Sequence, residues 1–169
     1  AEALTGGIVH KFGFSVDMNS PPVIDLSLDG RLMAIATVES ANSDISVVDI
    51  WDVALDYHVK RLEPKLAAGA YLKFSPDGRH LVFLTVSGGV TYSTETWKPV
   101  DHLPYPSERE SQSIFLPRST VLVLARSEGF FLWDFEKKAY LTTFEQPTKG
   151  LKRFSASADG GALITHGPK

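Results

Sequence analysis

One aromatic position recurs along this 169-residue chain at a constant spacing, and it limits the possible folds more than any other feature. Trp51, Tyr92 and Trp133 are separated by 41 residues each. A second landmark, a polar turn, follows each aromatic after 26 residues; the turns are Asp77-Gly78, Arg118-Ser119 and Asp159-Gly160. Two landmarks that keep one period over three units indicate a structure built from a duplicated unit.

The first turn, Asp29-Gly30, precedes the next by 48 residues instead of 41. The additional residues fall between Asp29 and Trp51, where the polar stretch Glu39 to Asp44 lies. Polar insertions of this kind are typical of surface loops, so we expect a lengthened hairpin tip at this position.

Each unit contains four short apolar runs bounded by Gly, Pro, Asp or Ser, as β-strands separated by turns require. In the second unit we predict strands over Tyr71 to Ser75, His80 to Val86, Gly89 to Ser93 and Lys98 to Leu103. A repeat of about 40 residues with four strands is typical of a β-propeller blade. The predicted fold class is therefore all-β: a β-propeller of four-stranded antiparallel blades with a period of about 41 residues.

The stretch from Leu72 to Val82, which reads LKFSPDGRHLV, resembles the first-strand motif of WD-repeat propellers. The dipeptides Trp51-Asp52 and Trp133-Asp134 resemble the pair that names that family. The resemblance covers most of the chain and implies a propeller scaffold, with no particular activity attached. The chain departs from the family by lacking its Gly-His pair before the first strand, so we expect a divergent member whose blades rely on apolar packing.

The strand count predicts an incomplete ring. We assign residues 1–20 to the outer strand of a preceding blade, 21–66, 67–107 and 108–148 to three blades, and 149–169 to a partial blade. Fifteen strands cannot fill even a four-bladed ring, the smallest known. We expect further residues of the same polypeptide or a partner to complete a ring of about seven or eight blades, and we do not expect a stable free monomer.

Composition excludes several functional classes. The formal net charge is −3, with 17 basic and 20 acidic residues, which argues against an electrostatic nucleic-acid binder. The absence of cysteine excludes disulfides and thiolate metal sites. No apolar run is long enough to span a membrane. The sequence favours a soluble protein and leaves open its compartment, including bacterial cytoplasm and periplasm.

Catalytic, metal and cofactor sites are not predicted. The five histidines show no metal-ligand spacing, and neither a nucleophile elbow nor a phosphate-binding glycine loop is present. We interpret the repeated residues as structural: the aromatics as blade packing and the aspartates as turn formers. These residues are Trp51, Tyr92, Trp133, Asp29, Asp77 and Asp159.

Two polar loops and one off-period tryptophan are the candidate partner-binding residues. The loops are the hairpin tip between Glu39 and Asp44 and the connection from Tyr105 to Gln112. Tyrosine and arginine are enriched in binding hot spots, and Trp97 lies where the family has small polar residues. The candidates are Glu39, Asn42, Asp44, Trp97, Tyr105, Glu108 and Arg109.

These features favour a non-catalytic protein–protein interaction or scaffold module within a larger propeller protein or complex. The alternative is a periplasmic sensor or enzyme propeller in which several blades contribute to a ligand or cofactor site at the central channel. A bound metal or chromophore would favour the alternative.

Overall fold

The computed structural model describes residues 21–38, 46–66, 69–85, 88–103, 113–126, 129–144 and 153–166. These residues form fourteen strands. They are β1 (Val23–Leu26), β2 (Leu32–Val38), β3 (Ser46–Asp52), β4 (Tyr57–Leu62), β5 (Gly69–Phe74), β6 (His80–Thr85), β7 (Gly88–Ser93), β8 (Pro99–Leu103), β9 (Ser113–Phe115), β10 (Val121–Arg126), β11 (Gly129–Asp134), β12 (Ala139–Phe144), β13 (Arg153–Ala156) and β14 (Leu163–His166). The strand predicted within residues 1–20 lies outside the described residues.

The strands form four antiparallel sheets in which sequence neighbours pair. Sheets 1, 2 and 3 contain β1–β4, β5–β8 and β9–β12, and sheet 4 contains β13 and β14. The predicted all-β class is confirmed, as are three four-stranded repeats followed by a partial one. The arrangement fits a β-propeller-like fold.

The 41-residue period is visible in the backbone. The third strand of each complete sheet shows a register shift against the fourth, at Ile50/Trp51, Thr91/Tyr92 and Leu132/Trp133. The turn that follows contains a residue with positive φ at Asp56, Trp97 and Lys138. An irregularity that recurs with the sequence period belongs to the repeat, because bulges locally change strand twist and direction.

The sheets stack face to face in chain order. A first interface joins sheets 1 and 2 through side chains such as Ile50 and Phe83. A second joins sheets 2 and 3 through residues such as Leu84 and Leu122. At a third interface, Phe154 and Leu163 of sheet 4 pack against sheet 3. Burial on both faces explains why β6 is buried from Leu81 through Thr85 without polar alternation.

Tyr92 and Trp133 point toward the preceding sheet, and Trp51 lies on the equivalent face of sheet 1. Tyr92 is buried in the first interface and Trp133 in the second. Trp51 lies on the face of sheet 1 that points away from sheet 2, since its partner Met33 alternates with Ala34 of the first interface. Trp51 is only half-buried, whereas Tyr92 is 5% exposed and Trp133 is 9% exposed.

Candidate functional site

The sequence-predicted loop residues lie outside the described part of the chain. They are Glu39, Asn42, Asp44, Tyr105, Glu108 and Arg109. They remain predictions. Trp97 is the one candidate partner-binding residue for which the structure gives a position.

Three first-strand turns share one hydrogen-bonded constellation around a Ser-x-Asp-Gly sequence. In the first, the Ser27 hydroxyl donates to Asp29 Oδ1 at 2.6 Å, and the Arg31 amide donates to the same oxygen at 3.0 Å. The Leu32 amide donates to Ser27 Oγ at 2.8 Å. Equivalent bonds surround Asp77 and Asp159. These contacts show what the repeated aspartates do within each turn: they accept backbone and hydroxyl hydrogen bonds.

Hydrogen bonding favours the ionised form of two of these carboxyls. The Ser27 hydroxyl, followed by the Arg31 amide, lowers the pKa of Asp29 below its usual value. The Ser157 hydroxyl does the same for the pKa of Asp159. An aspartate is ionised at neutral pH already at its usual pKa, and the lowered pKa extends the ionised form of both to more acidic conditions.

The third repeat makes its turn differently because it lacks Asp-Gly. Pro117 occupies the second turn position and Arg118 takes φ +55°, while the Ser119 amide donates to the Leu116 carbonyl at 3.3 Å. Proline followed by a positive-φ residue is the type II pattern. In the other three turns the positive φ falls one position later, on Gly30, Gly78 and Gly160.

A second constellation caps the end of the third strand. Asp52 is buried, accepts from Arg31 Nε at 2.9 Å and from the Leu55 amide at 3.1 Å. The bond from Arg31 lowers the pKa of Asp52. Asp134 is bound by Thr120 Oγ1 at 3.1 Å and by the Glu136 amide. The aspartates of both Trp-Asp dipeptides are thus turn caps.

Trp97, which was predicted to lie off the period of the repeated aromatics, is located in the connection between β7 and β8. It lies 41 residues after Asp56 and 41 before Lys138, at the recurring positive-φ position, with φ +53°. The equivalent residues of the other repeats, Asp56 and Lys138, are exposed. Trp97 is half-buried and packs against the first interface. A bulky residue rarely adopts positive φ, so side-chain packing must offset the backbone cost.

Trp97 forms one wall of a groove of about 540 Å³ at the end of the first interface. Leu28, Asp29 and Arg31 line it from sheet 1, and Asp77 and Thr94 line it from sheet 2. The groove opens at the end of sheet 1 that carries the β1–β2 turn and the β3–β4 turn.

A second depression, of about 330 Å³, lies at the third interface. Its lining is mostly apolar and includes Val123, Phe130 and Leu132 of sheet 3 and Leu163 of sheet 4. Sheet 3 presents four strands to this interface, whereas sheet 4 has two among the described residues. The depression lies where the narrower sheet leaves the wider one partly covered.

The edge of sheet 4 beside this depression has no strand paired to it among the described residues. The Ser157 amide donates to the Ala162 carbonyl at 2.9 Å. Hydrogen-bonded and non-hydrogen-bonded residue pairs alternate in an antiparallel ladder, so this bond fixes which pairs of β13 and β14 are hydrogen-bonded. By that alternation the peptide groups of Leu163 and Thr165 point away from β13, while Ile164 pairs with Ser155. Two donors and two acceptors therefore face outward.

The described residues bring together no three His, Asp or Glu side chains that could hold a metal ion. The acidic and basic side chains that do meet are used in turns or in ion pairs such as Asp49 with Arg61 at 2.8 Å. No helix in the described residues is long and apolar enough to cross a membrane. Neither a protein-family model nor a curated protein sequence matches this chain.

Proposed function

We propose that this chain is a non-catalytic protein–protein interaction or scaffold module, part of a larger propeller of the WD-repeat type. The supporting observation is the edge of β14. Its outward peptide groups lie beside an apolar depression, so an added strand would gain both hydrogen bonds and burial of apolar surface. Addition of a strand to an exposed edge is a general mode of protein recognition.

Exposed apolar side chains at both ends of the stack support the same function. Ile164 on sheet 4 is 68% exposed, and Leu26 on β1 is 52% exposed. Ile164 is on the face of sheet 4 away from sheet 3, since its partner Ser155 alternates with Phe154 of the third interface. Burial of such surface by a neighbour stabilises an assembly by about 25 cal/mol per Å².

The test is the substitution Thr165→Pro. Proline removes an outward-facing amide and leaves the β13–β14 ladder intact, because Thr165 does not donate to β13. The matched control, Thr165→Val, keeps the amide and has similar volume. The affinity-tagged proteins are used to purify binding partners from cells of the source organism.

We expect at least one protein to co-purify with the wild type and with Thr165→Val but not with Thr165→Pro. Equal thermal unfolding of the three purified proteins must accompany this result. If no protein is enriched by the wild type over Thr165→Pro while all three fold alike, the proposal is contradicted.

A further inference from the structure

The structure offers a second place for a partner, at the groove formed by Leu28, Asp29, Arg31, Asp77, Thr94 and Trp97, which we name the Trp97 groove. We propose that it binds an extended segment of a partner protein that carries an arginine or lysine between apolar residues. This inference rests on the proposed interaction function and specifies the chemistry of one partner.

One position that distinguishes the groove from the corresponding end of the second interface is Thr94. Thr94 and Phe135 occupy the same position in successive repeats, 41 residues apart, and their amides donate to the carbonyls of Arg79 and Thr120 respectively. At the second interface the Phe135 ring stacks on His80, with ring centroids 5.4 Å apart. At the first interface the smaller Thr94 leaves that volume unfilled, and its hydroxyl donates to the Gly78 carbonyl at 2.6 Å.

The lining combines an aromatic wall with excess negative charge. Asp29, Asp52 and Asp77 contribute three carboxylates, against the single guanidinium of Arg31. Arg31 is already paired with buried Asp52, through Nε and Oδ2 at 2.9 Å. Arg79 lies outside the lining, its side chain 73% exposed and 3.9 Å from Asp77. Three carboxylates therefore stand against the two guanidinium groups of Arg31 and Arg79, which leaves the groove with a net negative charge.

These surroundings suit a cation with apolar neighbours. An arginine or lysine head can lie on the face of Trp97 while the aspartates attract it, a combination that favours cations over anions. Leu28 is 81% exposed at the rim and Pro76 also lines the groove, which provides apolar contacts for the flanking residues. An acidic segment would meet like charge and is expected to be rejected.

The probes are two blocked pentapeptides, Gly-Leu-Arg-Leu-Gly and Gly-Leu-Glu-Leu-Gly, titrated into the ¹⁵N-labelled full chain. The readout is the indole N–H resonance of Trp97, assigned with the variant Trp97→Phe. We expect saturable shifts with the arginine peptide and affinity at least tenfold lower for the glutamate peptide. Raising the salt concentration should weaken binding several-fold, since exposed charges are screened.

Thr94→Phe fills the groove with the side chain that the next repeat carries at the same position. We expect it to reduce affinity for the arginine peptide at least tenfold, while Thr94→Ser, which keeps the space and the hydroxyl, binds like the wild type. Asp29→Asn removes charge and retains an acceptor for the turn, and should weaken binding several-fold.

Equal shifts with both peptides, or wild-type affinity in a folded Thr94→Phe variant, would overturn the inference. Should Thr94→Phe fail to fold, Asp29→Asn and the glutamate peptide decide the question. Neither result depends on the edge of β14. Failure at the Trp97 groove is therefore distinguishable from failure of the Thr165→Pro comparison.

Discussion

The first and second interfaces are built by the same repeat, yet they differ in two ways. The first ends in the Trp97 groove, whereas the His80–Phe135 stack fills the corresponding position of the second. The second also buries polar atoms without a hydrogen-bond partner among the described residues, namely His80 Nδ1, Thr91 Oγ1, Ser113 Oγ and Trp133 Nε1. Each such atom costs about 1–3 kcal/mol in desolvation.

The comparison shows that the repeat determines how sheets stack, while single positions determine what each interface can do. The buried polar atoms do not prevent stacking, because the second interface also buries large apolar residues such as Phe115 and Leu124. The first interface buries apolar residues with comparable completeness and leaves its end available for binding.

The largest expected effect on stability comes from removing Trp133 of the second interface, compared with removing Trp97 of the first. Trp133→Ala removes a side chain that is buried in the second interface and lies edge-on to Tyr140, with centroids 4.9 Å apart. We expect a loss of about 3–5 kcal/mol in the free energy of unfolding, measured with urea. Trp97→Ala should cost much less, because Trp97 is half-buried at a positive-φ position. Equal losses would show that both tryptophans belong to the core.

A smaller effect is expected from the protonation of His80. Burial lowers the pKa of His80 below its usual value; the carboxylate of Asp77 opposes this and the charges of Arg79 and Lys138 add to it. The folded state then resists a proton that the unfolded state accepts, so stability should fall as the pH drops through about 6.5.

The measurement compares urea midpoints at pH 7.5 and 5.5 for the wild type and His80→Leu, leucine being the residue at the equivalent position 32. The urea midpoint should fall less between pH 7.5 and pH 5.5 in the variant than in the wild type. The aspartates with lowered pKa values titrate below this window and do not contribute to it. An identical drop in both proteins would exclude His80 as the source.

The smallest expected effect is on the free energy of unfolding when a buried threonine is replaced by valine, and it differs between Thr91 and Thr85. Thr91→Val removes a hydroxyl that lacks a partner among the described residues, and should leave stability unchanged or raise it by up to about 1 kcal/mol. Thr85→Val removes a hydroxyl that donates to the Gly88 carbonyl at 3.1 Å, and should lower stability by about 1 kcal/mol. Losses of the same size in both variants would indicate that the Thr91 hydroxyl is hydrogen-bonded.

Local residue patterns were sufficient to predict the repeat. The bounds of the four strands predicted in the second unit differ from those of β5–β8 by at most two residues, and the Asp-Gly turns lie where the spacing places them. The preference of residues for turns and the alternation of apolar and polar residues in strands both act over a few residues. A single sequence is therefore enough to identify them. The 41-residue spacing aligns Trp97 with Asp56 and Lys138, but the sequence does not indicate that the backbone has positive φ at these positions.

The Trp97 groove and the buried polar atoms could not be predicted in this way. Both depend on which side chain of one sheet faces which position of the next, as Thr94 and Phe135 illustrate. The sequence period aligns these residues, but the open groove beside Thr94 and the stack of Phe135 on His80 both depend on how two sheets pack together. The outward direction of the Thr165 amide likewise follows only from the observed ladder.

Hydrogen exchange at β14 tests the central claim, an edge prepared for another strand, most directly. The amides of Leu163 and Thr165 point outward, and the Ile164 amide between them points to β13 and serves as an internal control. In the purified chain at low concentration we predict rapid exchange at Leu163 and Thr165 and clear protection at Ile164, and at higher concentration we predict association in sedimentation. A monomer that protects all three amides equally would contradict the account.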